Sequence, residues 1–445
     1  MSGRAPARGD RPADATTPDA ADVLIAGAGP AGSVLAFLLA GLGWRVELLD
    51  RARFPRAKPC GECLSPGAVT ALERLGLLAP VLQLSPAPLS GWRIRTGEGA
   101  AAVGRYGPAH RDGLGVSRKA LDHALVRQAV ARGVRLEEGT RVLRVEAGEE
   151  GAAPLLETID EGGRRRLRTA RVVVGADGLR SVVARRLEMV HPDPELRKIS
   201  LTCRLWGEGP PRDTGLLYIG DSGTVGLAPV EDPDGVERFR EEHSGGVHST
   251  AGRFWNGTVV VNAVRGPELK GNAEGFFRSA FAEAGIGWRS GFDVVDGPWP
   301  CGPFDWPARC VSGSGLLLVG DAAGYYDPLT GQGIYRALRT AELAAPAIDR
   351  ALRNAQESER ALKAYGIRLD RAFRPGRRLQ RLIEGVLSRH QLREVFVKKI
   401  GSTPGGLDAL IRVTGDVAPA RSLLSPSLLL AFAGAPILPD GGGPA

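Results

Sequence analysis

Three segments, Gly27–Gly32, Gly175–Ser181 and Gly320–Gly333, place small residues and carboxylates where a protein backbone can meet a bound dinucleotide. The first has the clearest physics. Gly27-Ala-Gly-Pro-Ala-Gly32 follows the apolar run Asp22–Ala26 and leads, through Pro30 and Ala31, into an Ala- and Leu-rich stretch, Ser33–Leu42. A buried strand, a tight turn and a helix in that order form a phosphate cradle. Gly27 permits the bend, Gly29 lets a pyrophosphate reach the main chain, and Gly32 lets helix and strand pack closely. The helix start offers free N–H groups and a positive dipole end. A second strand, Arg45–Leu49, ends at Asp50-Arg51, where a carboxylate can accept hydrogen bonds from a ribose. This motif suits FAD and NAD equally.

The later segments separate the two. Arg171–Ser181 is an apolar strand running into Asp177-Gly178, and Gly315–Gly324 is another, ending in Gly320-Asp321. With these motifs in order, residues 21 to 390 resemble the flavoprotein superfamily of p-hydroxybenzoate hydroxylase and the geranylgeranyl reductases. The resemblance implies FAD as cofactor, with Asp177 and Gly178 near its pyrophosphate and Asp321 on its ribityl chain. It also implies a cofactor contact from Arg118, which opens the helical stretch Ser117–Ala131. Asp-Gly pairs are equally ordinary turn formers at strand ends. Gly331, Gln332 and Gly333 lead into a helix, Ile334–Asp349, and would aim backbone N–H groups at the flavin pyrimidine edge, where the reduced ring is negative.

Two further segments bear on the reaction. Phe54 to Gly61 is similar to a Phe-Pro-Arg-x-Lys-Pro-Cys-Gly core of geranylgeranyl and menaquinone reductases. Asp327–Ile334 follows the reductase pattern with Gln332 in place of Glu, whereas simple hydroxylases show Gly-Gly-Gln-Gly. Thr214–Pro229 lacks both the Tyr-x-Trp-x-Phe-Pro of the lipid reductases and the Trp-x-Trp-x-Ile-Pro of flavin halogenases. The resemblance therefore implies an FAD-dependent, NAD(P)H-using monooxygenase of an apolar ring-bearing metabolite, such as a quinone or polyketide. Molecular oxygen would react through a flavin C4a-hydroperoxide. The alternative is an FAD-dependent reductase of carbon–carbon double bonds in a prenyl lipid or menaquinone. A halogenase and a non-enzymatic FAD-binding protein are more distant readings. NADPH or NADH would bind transiently, because no second glycine fingerprint follows a strand. Such chemistry needs no protein nucleophile, since the cofactor is the reactive group. The pocket candidates are Cys60, Trp92, Arg204, Trp206, Tyr218 and Pro328, of which strand alternation turns some away.

The elements that must position these groups predict an α/β fold: a Rossmann-like FAD-binding domain, an inserted antiparallel-sheet substrate domain and a C-terminal helical region. FAD-binding parts at 21–84, 106–196 and 301–350 alternate with substrate-domain parts at 85–105 and 197–300, and helices occupy 351–445. Candidate roof strands are Ile199–Trp206, Leu216–Ile219, Val225–Pro229 and Thr258–Val264. Arg135–Leu136 and Arg141–Glu146 read as edge strands of the cofactor domain. In the C-terminal region an arginine stripe, Arg368 to Arg381, is interrupted by Pro375, which predicts a break or kink.

A chain of 445 residues at 43% hydrophobic buries a large core in two or three units. Its net charge of +8 suits anionic cofactors, an anionic membrane surface or simple solvation. No basic and aromatic pattern points to nucleic acid. Residues 1–20 read as a disordered lead without the apolar core of an export signal, and the odd count of five cysteines fits a reducing, cytoplasmic setting. The apolar run Leu428–Leu438 either packs on the body or gives a peripheral membrane contact. Cys60-Gly-Glu-Cys63 is formally a Cys-x-x-Cys pair, either a redox dithiol or pocket lining, and no second ligand pair supports zinc. The six histidines, including His243 and His248, are scattered, and no metal site is expected.

Overall fold

A computed structural model describes residues 21–148, 152–191, 196–231, 252–286 and 292–425. The predicted lead, His243, His248 and the run Leu428–Leu438 lie outside the described residues.

The cofactor sheet has six strands in the order Ser312–Gly313, Leu316–Leu318, Val172–Gly175, Val23–Ala26, Val46–Leu49 and Arg135–Glu137. All its pairings are parallel except the outermost, Ser312–Gly313 with Leu316–Leu318. Val23–Ala26, Val172–Gly175 and Leu316–Leu318 are buried along their whole length, as a sheet covered on both faces requires. The helix Pro30–Gly41 packs between Arg118–Ala131 and Gly333–Arg353 on one face. Strand order carries the functional consequence. The three central strands are neighbours, so the segments leaving their C-terminal ends, at Gly27, Ala176 and Val319, emerge side by side, with Asp50 after the next strand. Ligands of open α/β sheets bind at that edge.

Arg141–Glu146 does not extend this sheet. It pairs with Leu155–Ile159, which pairs with Arg165–Thr169, in a separate antiparallel sheet. The reason lies in its charges: Arg141, Arg144 and Glu146 need a solvent-facing side, which a buried parallel strand lacks.

The roof is a seven-stranded sheet in the order Phe292–Cys301, Lys198–Gly207, Arg253–Asn262, Thr224–Pro229, Thr214–Ile219, Gly91–Thr96 and Ala101–Arg105. Its pairings are antiparallel except Thr214–Ile219 with Gly91–Thr96, where two distant chain segments meet in parallel. The strand predicted at Thr258–Val264 starts at Arg253 and stops at Asn262, whose side chain accepts from Val264 N and turns the chain. One face, carrying Leu205, Leu227, Trp255 and Val259, packs against Phe277 and Phe281 of the helix Ala273–Glu283. The opposite face looks toward the cofactor edge.

The C-terminal helices Ser358–Leu387, His390–Ser402 and Gly406–Thr414 cover the far end of the roof, burying Val397, Ile400 and Leu407 against Ala102 and Ile219. Ser358–Leu387 continues through Pro375 without the predicted break. Pro375 is exposed, so water can satisfy the carbonyl that the ring leaves unpaired. Arg374 and Arg377 both pair with Asp370 on the same helix. Among the described residues no helix is long and apolar enough to cross a membrane.

Candidate active site

The first glycine segment divides its labour as its spacing predicts. A side chain on Gly27, at φ +107°, would meet Ala176 O at 2.4 Å, and one on Gly32 would meet Gly27 O at 1.9 Å. Both glycines serve close packing. Gly29 instead faces open space, its nearest neighbour being Arg56 Nη2 at 3.8 Å. No side chain caps the helix Pro30–Gly41, so its first N–H groups stay available. Gly29, Pro30 and Ala31 line a single large cavity between the cofactor edge and the roof. Behind them Asp50 Oδ2 accepts from Ala28 N at 2.8 Å and Oδ1 from Ala52 N at 2.9 Å. Asp50 thus braces the loop and keeps lone pairs for a ribose. Arg51 is exposed, and neither it nor Asp50 is part of the cavity lining.

Asp177 points away from the cavity. Its carboxylate accepts from Ser181 Oγ at 2.5 Å and from Val182 N at 2.6 Å, anchoring the short helix Val182–Arg186. Burial pushes its pKa up, and the hydrogen bonds offset only part of that. Gly178, at φ +77°, is the member of the pair that lines the cavity. Asp321 lines it too, and a side chain on Gly320 would stand 2.8 Å from Ala31 Cβ, so the third segment abuts the first.

Beside Asp321 lies a residue that glycine spacing could not assign. Lys58 is half-buried in the cavity wall, its ammonium 3.0 Å from where a Gly178 side chain would begin. Burial pushes its pKa down and the Arg118 charge adds to this, while Asp321 opposes both. Arg118 lines the same wall, held by two 2.7 Å hydrogen bonds to Asp122, which also pairs with Arg56 at 3.0 Å. Burial works against the Arg118 charge, and Asp122 outweighs it. Three cations therefore face two carboxylates, Asp122 and Asp321, an excess of positive charge that suits a pyrophosphate.

At the other end of the cavity the helix Gly333–Arg353 also begins without a side-chain cap, and Gly331, Gly333 and Ile334 line the space before it. The Gln332 side chain turns away instead. Its Nε2 donates to Asp416 Oδ1, and its Oε1 accepts from Thr330 Oγ1 at 3.0 Å and Gln380 Nε2 at 3.1 Å. The contact offered here is backbone, not carboxamide. Two uncapped helix starts with an open glycine and a cation cluster form a cradle that fits an extended, doubly anionic dinucleotide such as FAD.

The roof supplies the other wall. Ser200 and Thr202 from one strand, Asn256 and Thr258 from the next, and Cys60 and Pro328 from loops line the cavity. Trp92 lines it as well, its Nε1 donating to Tyr106 Oη at 3.0 Å. Tyr218 is on the opposite face of the sheet, packed among the residues around Trp255, because register puts its neighbours Leu217 and Ile219 toward the cavity. Trp206 has the right parity but lies past the cavity's end, edge-on to Phe254 with centroids 4.9 Å apart. Arg204 stands one layer back, its Nη2 donating to Glu62 Oε2 at 2.6 Å.

Glu62 went unnoticed in the sequence. It is buried at φ +54°, and accepts from Arg118 N at 2.8 Å and Asn256 Nδ2 at 3.0 Å as well as from Arg204. Asn256 Nδ2 also donates to Cys60 O at 2.9 Å. Cys60 and Cys63 are free thiols, and burial pushes the Cys63 pKa up. Tyr325 was also missed. It lines the cavity, and burial, reinforced by Asp321 and Asp327, holds its phenol well above the ordinary pKa. No group of three or more His, Cys, Asp or Glu able to hold a metal occurs among the described residues.

The chain is similar to known proteins. Residues 20–206 match the FAD binding domain family. The chain is 29% identical over 346 residues to a menaquinone reductase of Mycobacterium tuberculosis, covering 74% of this chain and 77% of the relative. It is 27% identical over 416 residues to digeranylgeranylglycerophospholipid reductase 1 of Methanopyrus kandleri, covering 88% and 97%. It is 28% identical over 354 residues to 6-methylpretetramide 4-monooxygenase of Streptomyces rimosus, covering 78% and 79%. Among solved structures, a flavin-dependent halogenase superposes with a TM-score of 0.67 at 25% identity, over 80% of this chain and 62% of that one.

Proposed function

Because the chain belongs to the FAD-dependent oxidoreductases of the p-hydroxybenzoate hydroxylase and geranylgeranyl reductase superfamily, we propose that it is an NAD(P)H-using monooxygenase of an apolar, ring-bearing metabolite. The observation that carries this reading is the composition of the roof above the cofactor cradle. Small side chains, Ser200, Thr202, Gly226 and Ala228, leave width for a flat ring, and Pro328 and Ile334 face them without charge. Bound FAD would take two electrons from a nicotinamide and make oxygen reactive toward that ring. The protein's own groups do the rest. Gly29 and the first N–H groups of Pro30–Gly41 would hold the pyrophosphate, with Lys58 and Arg118 balancing its charge. The N–H groups at the start of Gly333–Arg353 would favour negative charge on the ring system.

Tyr325 favours a second reading. Reduction of a carbon–carbon double bond needs a proton as well as a hydride, and a neutral phenol in the cavity wall can provide one. Mass analysis of the product separates the two readings. Turnover with NADPH under ¹⁸O₂ that places one labelled atom in a phenol or quinone supports the monooxygenase. Anaerobic turnover that adds two hydrogens to a prenyl or menaquinone acceptor replaces it with the reductase.

A further inference from the structure

The arginine stripe of the C-terminal region plays no part in the cavity, and the helix Ser358–Leu387 gives it a definite geometry. At about 100° per residue, Arg368, Arg371, Arg374, Arg378 and Arg381 fall on one arc. They face away from the buried row Leu362, Tyr365, Leu369 and Phe373, and all five are exposed. The acids of this helix, Glu359, Asp370 and Glu384, lie together along one flank of the arc. Each is already engaged: Glu359 by Lys363, Asp370 by Arg374 and Arg377, and Glu384 by Lys198. Arg368, Arg371 and Arg378 are therefore left without an ion pair to any described residue. Two large aliphatic side chains stand on the same arc. Ile367 is 66% exposed and Leu382 65%, about 22 Å apart along the axis, with the three free arginines between them. Solvation alone gives no reason to interleave aliphatics with this charge, and a nucleic-acid face pairs its cations with aromatics. The surface of an anionic bilayer suits both kinds of side chain: guanidinium forks meet lipid phosphates, and the aliphatics reach the boundary with the acyl chains.

We propose that this arc of Ser358–Leu387 docks on an anionic lipid surface, with Arg368, Arg371 and Arg378 at the phosphates and Ile367 and Leu382 just beneath them. The inner side of the same helix carries Ile383 and Leu387 into the cavity wall, so docking brings the cavity close to the phase in which apolar metabolites dissolve. The docking goes beyond the proposed function and holds whichever of the two reactions is right.

The test is co-sedimentation of the FAD-loaded full chain with vesicles of equimolar phosphatidylglycerol and phosphatidylcholine, and with vesicles of phosphatidylcholine alone. Binding to the first should weaken as salt rises, and binding to the second should be slight. An arginine at an anionic surface contributes about fivefold, so Arg368→Gln/Arg371→Gln/Arg378→Gln should weaken binding about a hundredfold. Ile367→Ser/Leu382→Ser should weaken it at least about tenfold and keep the salt dependence. Arg141→Gln/Arg144→Gln, on the separate antiparallel sheet, should leave binding nearly unchanged, which separates the arc from net charge. Leu429→Ser/Phe432→Ser, in the apolar run beyond the described residues, should also keep it. Retained FAD and an unchanged melting temperature show that each variant is folded. Equal binding to both vesicle types, a triple arginine variant that binds like the parent, or loss of binding only with Leu429→Ser/Phe432→Ser overturns the proposal. So does vesicle binding that ignores Ile367→Ser/Leu382→Ser while an oligonucleotide binds with the same arginine dependence, since the arc would then serve a nucleic acid.

Discussion

Arg204 donates to Glu62 at 2.6 Å, and this buried pair ties the segment that carries Cys60 to the second strand of the roof. Both side chains are less than 10% exposed. Removing Glu62 breaks this buried pair, at a cost of about 3–5 kcal/mol. Glu62→Ala should therefore lower stability by that order, and Glu62→Gln by less, since the amide oxygen still accepts from Arg118 N. The double variant Glu62→Ala/Arg204→Met should lose less than the sum of the two single losses, because both members of the buried pair are then removed together. Urea denaturation of the parent, Glu62→Ala, Glu62→Gln, Arg204→Met and the double variant checks this. Strictly additive losses would show that the two residues act independently.

Gly29 differs from its partner glycines in having room. A methyl group there meets nothing closer than 3.8 Å, so Gly29→Ala should fold with stability within about 1 kcal/mol of the parent. Its FAD affinity should fall at least tenfold, because the methyl occupies the space through which a pyrophosphate reaches the main chain. Gly32→Ala, whose methyl would overlap Gly27 O, should fail to fold or to retain FAD. Fluorescence titration of the apoprotein with FAD reads both. Unchanged affinity in Gly29→Ala would move the phosphates elsewhere.

Asp416 joins the C-terminal helices to the cofactor domain: Ser65 Oγ donates to its Oδ2 at 3.0 Å and Gln332 Nε2 to its Oδ1. Burial pushes its pKa up to about 8, against the pull of those donors. A carboxyl with a raised folded pKa binds more protons folded than unfolded between about pH 4 and pH 8. Its contribution to stability therefore falls as pH rises through that window. Asp416→Asn cannot ionise, so its stability relative to the parent should improve from pH 5 to pH 8. Thermal melts across that range test the sign, and parallel curves for the two proteins would refute it.

How far the chain could be read depended on the distance over which each signal acts. Val23–Ala26, Val172–Gly175 and Leu316–Leu318 were legible because a doubly covered parallel strand is a continuous apolar run, and the glycines that follow are fixed by local geometry. Tyr218 was misplaced because which face a strand residue takes depends on register against Val225, which no local pattern reveals. Glu62 was invisible for a stronger reason. Its partners Arg204 and Asn256 lie 142 and 194 residues away, so their joint role exists only after the roof closes. Gln332 was found, and only the destination of its side chain was out of reach. Its motif fixed the backbone turn, while its side chain was claimed by Asp416, 84 residues later.

Tyr325 bears most directly on the reaction. Its phenol stays neutral through the physiological range, since burial and the carboxylates of Asp321 and Asp327 all oppose ionisation. If it delivers a proton in the rate-limiting step, Tyr325→Phe should lower kcat about a hundredfold while leaving FAD bound, because the ring contact with Phe304 survives the loss of the hydroxyl. A solvent deuterium isotope effect on kcat in the parent should disappear in the variant. If the phenol only orients a substrate oxygen, the loss appears in KM, kcat changes little, and any isotope effect persists. The first pattern belongs with double-bond reduction, and the second with oxygen insertion into a ring held beneath Thr202 and Asn256.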